Sequence, residues 1–194
     1  MSFRARLFAL PMPGFLRRAF LGRLFRLTAD AFGAQVPAPG GSLPEILDQY
    51  AAFTRAQAEI AMEDSARTAN VQQRLYTNAL SLGGRLRSLL GVRGMPEALD
   101  AARTLYRLIG VDFRGAAAGT AAARTAAVVT AAAGAAPVRG QDGAGCDSAC
   151  FSVSRCSFSR HYPPEVCRLI SSLDAGLLAG LTGGSKMTFT ERIT

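Results

Sequence analysis

The chain reads as an α+β domain: several helices, then a strand–helix–strand unit, with the helices packed on one face of a small antiparallel sheet. Three patterns predict this. Apolar residues recur at three- and four-residue spacing through most of residues 14–110. Alternation at strand spacing runs from Ala149 to Phe158 and again through Met187, Phe189 and Ile193. Between the alternating runs lies an amphipathic helix, opened by Pro163-Pro164-Glu165 and stopped by Gly183-Gly184.

Pro11 and Pro13 break the first segment. After Gly14, the residues Leu16, Phe20, Leu24, Leu27 and Ala31 mark one helical stripe. Arg18, Arg23 and Arg26 fall elsewhere on this helix, and Arg17 lies near the apolar edge. Two readings compete: a basic helix in weak contact with a membrane surface or a partner through residues 14–33, or a helix that packs on the domain and solvates its arginines. The pair Arg17-Arg18 is not an export signal, because Arg23 and Arg26 interrupt the apolar run behind it. Linker composition at Val36 to Gly41 sets off residues 1–35 as a basic amphipathic arm and 42–194 as the domain.

Ser42-Leu43-Pro44-Glu45 is a capping box. Leu47, Tyr50, Ala51, Thr54, Ala58, Ala61 and Met62 form the face of the helix it starts. A break falls between Asp64 and Asn70, and Leu75, Ala79, Leu82, Leu86 and Leu89 mark the next run. Gly83-Gly84 and Gly91 to Gly94 read as kinks or ends. Pro96 suits a first turn, Leu99, Ala102, Leu105, Tyr106 and Ile109 form its stripe, and Gly110 stops it. Tyr50, Tyr76 and Tyr106 read as core or pocket wall. Val111-Asp112-Phe113 is a short strand. Residues 115–145 are a low-complexity insertion of Ala, Gly and Thr, without chemistry. Alanine would draw Ala116 to Ala133 as a helix with little to bury.

An apolar fraction of 49% in 194 residues supports one domain with a real core. No apolar run is long and uncharged enough to span a bilayer. The net charge of +8 comes almost wholly from arginine, with Lys186 the sole lysine. The arginines are dispersed and no nucleic-acid motif is present, so no nucleic-acid partner is expected. Four cysteines fall between residues 146 and 167. No secretory signal is legible, and reduced thiols in the cytoplasm are the expectation.

The candidate chemistry centres on Cys167, one turn into the final helix, where amides and dipole favour a thiolate. His161 is the sole histidine and the candidate base, with Asp174 as the group that orients a partner. The competing reading makes Cys156 and Cys167 small, inert core residues. Cys146, Cys150, Cys156 and Cys167 lack the paired spacing of a zinc ribbon, and neither a metal nor a cofactor is expected. Gly180 to Lys186 has the wrong spacing for a phosphate loop and reads as a helix stop.

Residues Cys156-Ser157-Phe158-Ser159, Tyr162, Cys167, Leu173-Asp174-Ala175-Gly176-Leu177, Gly180-Leu181 and Phe189 to Thr194 resemble a bacterial family. It is the family of proteins like L-2-amino-thiazoline-4-carboxylic acid hydrolase, with a layout similar to V4R-type ligand-binding domains. The resemblance implies helices over a small sheet that enclose a pocket for a small organic ligand. For hydrolase-like members it implies opening of a thiazoline ring. Such members continue past the last strand, so the C-terminus reads as truncated at Thr194. The expected function is small-molecule binding with thiol-dependent hydrolysis by Cys167, His161 and Asp174, and ligand contacts from Cys156, Tyr162 and Gly176. The alternatives are a non-catalytic binding or sensor module, and a membrane-surface or protein-interaction role for the basic helix.

Overall fold

A computed structural model of the chain describes residues 13–117, 127–130 and 148–187. These form helices α1 (Gly14–Phe32), α2 (Leu43–Met62), α3 (Ser65–Leu90) and α4 (Met95–Leu108), then strands β1 (Val111–Ala117), β2 (Ala127–Thr130) and β3 (Ser148–Cys156). Helix α5 (Pro164–Thr182) and strand β4 (Lys186–Met187) follow. Helices dominate, and the small sheet is built from antiparallel pairs in the order β1-β3-β2-β4. β3 and β4 both run antiparallel to β2 on its two sides, so they are parallel to each other. β3-α5-β4 is therefore a crossover unit split by one strand.

Local chemistry explains the helix ends. The Ser42 amide donates to Glu45 Oε2 at 2.6 Å. This bond, with help from the Ser42 side chain, holds the Glu45 carboxyl below its ordinary pKa. Asp64 separates α2 from α3 and caps α3, its Oδ1 accepting from the Ala66 amide at 2.9 Å. Gly91 and Gly183 end α3 and α5 in the left-handed conformation, as their positions predict.

Helix α5 is the centre of the molecule. Its second half, Gly176 to Leu181, is buried on every side, and it packs most extensively on α3 while also meeting α4 and α2. Glycines permit the α3–α5 approach. A Cβ at Gly180 would lie 2.8 Å from Gly83 Cα, and one at Gly176 would lie 2.9 Å from the Tyr76 carbonyl carbon. Gly83-Gly84 therefore does not end α3. The helix continues to Leu90, and Gly83 serves the close crossing.

Helix α1 packs on α2 and α3 in the same core. Its buried side is Leu21, Leu24, Phe25, Thr28, Ala29, Ala31 and Phe32, which keeps Leu24 and Ala31 of the expected stripe but is rotated toward Phe25, and Leu16 is exposed. The rotation follows from Phe25, whose ring meets Tyr50 edge-on at 4.9 Å and whose side chain is wholly buried. Arg17 is half-buried and donates to the Leu108 carbonyl at 3.4 Å.

β1 begins at Val111 as expected, with Val111 and Phe113 buried and Asp112 between them half-exposed. A register shift after Asp112 brings Ser154 Oγ to donate to Asp112 Oδ2 at 3.0 Å. The expected helix over Ala116 to Ala133 is overturned within the described part of that stretch. Ala116 and Ala117 continue β1, and Ala127–Thr130 is a strand between β3 and β4. Val128, Val129 and Thr130 are β-branched and favour the pleated backbone over the helix. The expected final strand is described only at Lys186–Met187; Phe189 to Thr194 lie outside the described residues, as does Cys146.

Candidate functional site

The turn that follows β3 builds the site. Gly110 adopts φ 75°, a conformation open to glycine, and lets Ser157 press against it. The Ser157 amide and hydroxyl both donate to the Gly110 carbonyl, at 3.2 and 2.7 Å. The amides of His161 and Tyr162 then donate to the Phe158 carbonyl, at 2.8 and 3.0 Å. This curl sends Phe158 and Tyr162 inward, stacked at 5.5 Å, and Phe158 meets Tyr50 of α2 at 5.8 Å.

Polar groups collect behind these rings. The Tyr50 hydroxyl and Thr28 Oγ1 are 2.9 Å apart and satisfy each other. Tyr106 donates to Asp174 Oδ1 at 2.7 Å and stacks on Phe113 at 5.2 Å. Thr54 is fully buried and Tyr162 is 8% exposed, yet neither hydroxyl has a hydrogen-bond partner among the described residues. Thr54 lies near enough to Tyr50 and Tyr162 to favour their ionised forms, but it meets hydrogen-bond geometry with neither.

Electrostatics tie these groups into one set. Burial raises the Tyr50 phenol to about 12, and the charge of Asp174 adds to the rise. Burial also raises Tyr106, with the Asp174 charge and hydrogen bond in support. Tyr162 is raised first by burial, then by Tyr50, Cys156 and Cys167. Burial raises the Cys156 thiol too, against the Phe158 and Ser159 amides, which favour its thiolate. At neutral pH the set thus presents neutral phenols, a neutral Cys156 thiol and the Asp174 carboxyl group.

The residues named from sequence divide between this set and other places. Cys156, Tyr162 and Asp174 belong to it. Cys167 is half-buried at its edge, its Sγ 4.0 Å from the Tyr162 carbonyl. His161 faces another way: its Nε2 is 3.2 Å from Asp48 Oδ1 and 2.9 Å from Arg160 Nε. These two contacts compete, since the nitrogen donates to the carboxylate in one tautomer and accepts from the guanidinium in the other. Arg160 also pairs with Asp48, and Arg55 donates to the His161 carbonyl at 3.4 Å. Among the described residues the hydrogen bonds of the His161 ring run to Asp48 and Arg160, and the Cys167 thiol lies against the Tyr162 carbonyl. Gly176 sits in the helix crossing, with its open side against Tyr76.

Thr54 is the residue the sequence concealed. Its polar side chain in the stripe of Tyr50, Ala51 and Ala58 was the available signal. Among the described residues, no group of three or more His, Cys, Asp or Glu side chains is placed to hold a metal ion. No described helix is long and apolar enough to cross a membrane. The chain matches no family model, no curated protein and no solved structure.

Proposed function

We propose that this domain binds a small organic molecule whose polar atom supplies the partner that Thr54 and Tyr162 lack. The observation that carries the reading is the pair of buried, unsatisfied hydroxyls. A buried polar group without a partner costs about 1–3 kcal/mol, so it is retained where something outside the protein completes it. Tyr50, Phe158 and Tyr162 supply the aromatic wall usual for such sites, and neutral phenols supply oriented donors. A small, weakly polar ring such as a thiazoline suits both features. Ring opening by Cys167 would need an activated thiol, and the sole imidazole is committed to Asp48 and Arg160. Binding without catalysis is therefore the favoured form of the proposal.

The chain has no tryptophan and four tyrosines, so tyrosine emission reports on this site directly. Titration with 2-amino-thiazoline-4-carboxylate, and with neutral thiazoline rings that lack the carboxylate, should change that emission saturably. Tyr162→Phe and Thr54→Val should each weaken the binding about tenfold, the worth of one buried hydrogen bond. Unchanged affinity in both variants, or no response to any such ring, overturns the proposal.

A further inference from the structure

The α1–α3 contact leaves a cleft of about 440 Å³ that none of Tyr50, Tyr106 and Tyr162 lines. Asn78 Nδ2 donates to Asp30 Oδ2 at 2.8 Å and to the Leu27 carbonyl at 3.2 Å, and Arg74 meets Asp30 at 3.5 Å. The end of α1 thus lies beside the first half of α3, and the two helices run antiparallel. Arg23 and Arg26 are thereby carried toward Arg85 of α3, and all three line the cleft with Asp30, Asn78 and Ser81. Asp30 has its counter-charge in Arg74. Arg23, Arg26 and Arg85 are exposed, and none forms an ion pair or hydrogen bond among the described residues.

Like charges one turn apart on a helix repel, and a third from a facing helix adds to this. Such a cluster is relieved by an anion with several oxygens, which guanidinium forks bind in pairs. We propose that the cleft binds a phosphate-bearing anion. Arg23, Arg26 and Arg85 hold its oxygens, Ser81 donates a further bond, and Leu27 and Leu82 face its carbon part. The volume falls within the ~300–1,000 Å³ of small-molecule sites, so it accommodates more than a bare phosphate. The phosphate belongs either to a soluble molecule or to a lipid headgroup. Phe15 and Leu16, exposed by 69% and 41%, project from the same helix two turns earlier and would enter a bilayer beside a bound headgroup. This site is separate from the phenol set and stands or falls independently of it.

Inorganic pyrophosphate tests the shared chemistry on the full chain. At about ten times its dissociation constant it should raise the melting temperature by about 3 °C, relative to sodium chloride of equal ionic strength. The double variant Arg26→Gln/Arg85→Gln should weaken binding more than about tenfold. Arg67→Gln, an exposed arginine of α3 outside the cleft, should leave it unchanged. Sedimentation with phosphatidylcholine vesicles containing phosphatidic acid separates the sources. Wild-type sedimentation lost in the double variant assigns the phosphate to a lipid, whereas pyrophosphate binding without sedimentation assigns it to a soluble molecule. A thermal shift equal in the double variant overturns the proposal. So does the absence of both pyrophosphate binding and cleft-dependent sedimentation.

Discussion

Two threonines in the core, both fully buried, differ in one respect that decides their energetics. The Thr28 hydroxyl bonds Tyr50 at 2.9 Å, whereas the Thr54 hydroxyl meets hydrogen-bond geometry with no described residue. Valine has nearly the same shape as threonine without the hydroxyl. Thr28→Val leaves the buried Tyr50 hydroxyl stranded and should cost about 1–3 kcal/mol in urea unfolding. Thr54→Val removes an unsatisfied group and should stabilise the ligand-free chain by about 1 kcal/mol while weakening ligand binding. Destabilisation of the ligand-free chain by Thr54→Val would mean that the hydroxyl has a partner after all. The sequence shows Thr54 on a helical stripe and Thr28 off the stripe expected for its helix, and it cannot show which of the two hydroxyls finds a partner. The difference depends on Tyr50 and Tyr162, which reach these helix faces only after the chain has folded. Cys156, Tyr162 and Asp174 could be named from the sequence as polar or reactive groups in the strand–helix unit, and the fold does place them near one another. The direction of His161 was not legible, because Asp48 and Arg160 decide it.

At the scale of elements, two adjacent glycines in α3 make opposite predictions. A Cβ on Gly83 would lie 3.0 Å from both Gly180 Cα and the Leu181 amide nitrogen, main-chain atoms that cannot turn aside. Gly83→Ala should therefore destabilise by about 1–3 kcal/mol despite its gain in helix propensity. Gly84 has nothing within 4 Å of that position, so Gly84→Ala should stabilise by up to about 1 kcal/mol. Similar effects from the two substitutions in denaturant unfolding would refute the close crossing of α3 and α5. Helix ends were legible because caps are local: Ser42, Asp64, Gly91, Gly110 and Gly183 all act within a few residues of their own position. The Gly83-Gly84 pair and the buried face of α1 were not, because each answers to a neighbour distant in sequence, α5 in one case and Tyr50 in the other. The strand Ala127–Thr130 was masked by the alanines around it, which bias a single-sequence reading toward helix.

For the whole molecule, the buried phenols set a limit at high pH. Tyr50 sits between α2 and the β3–α5 turn, Tyr162 ends that turn, and Tyr106 joins α4 to α5 through Asp174. Each touches elements that must stay together for the fold to persist. Burial raises all three above the ordinary phenol value, Tyr50 from 10.0 to about 12. Below pH 10 both folded and unfolded chains hold these protons, so the raised values do not affect stability there. Above pH 10 the unfolded chain ionises first, and stability falls as pH rises through the folded values. Tyr50 alone removes about 2–3 kcal/mol by the time the pH reaches its folded value, and Tyr106 and Tyr162 add to the loss over the same window. A domain with a net stability of about 5–15 kcal/mol should not outlast three such ionisations. In a Tyr76→Phe background only these three tyrosines remain. Phenolate ultraviolet absorbance should then rise together with the loss of far-ultraviolet helical dichroism, in one transition above pH 10. Phenolate absorbance that grows while the helices persist would mean that the phenols are reached by solvent in the folded chain. The enclosed polar set on which ligand binding is proposed would then not exist.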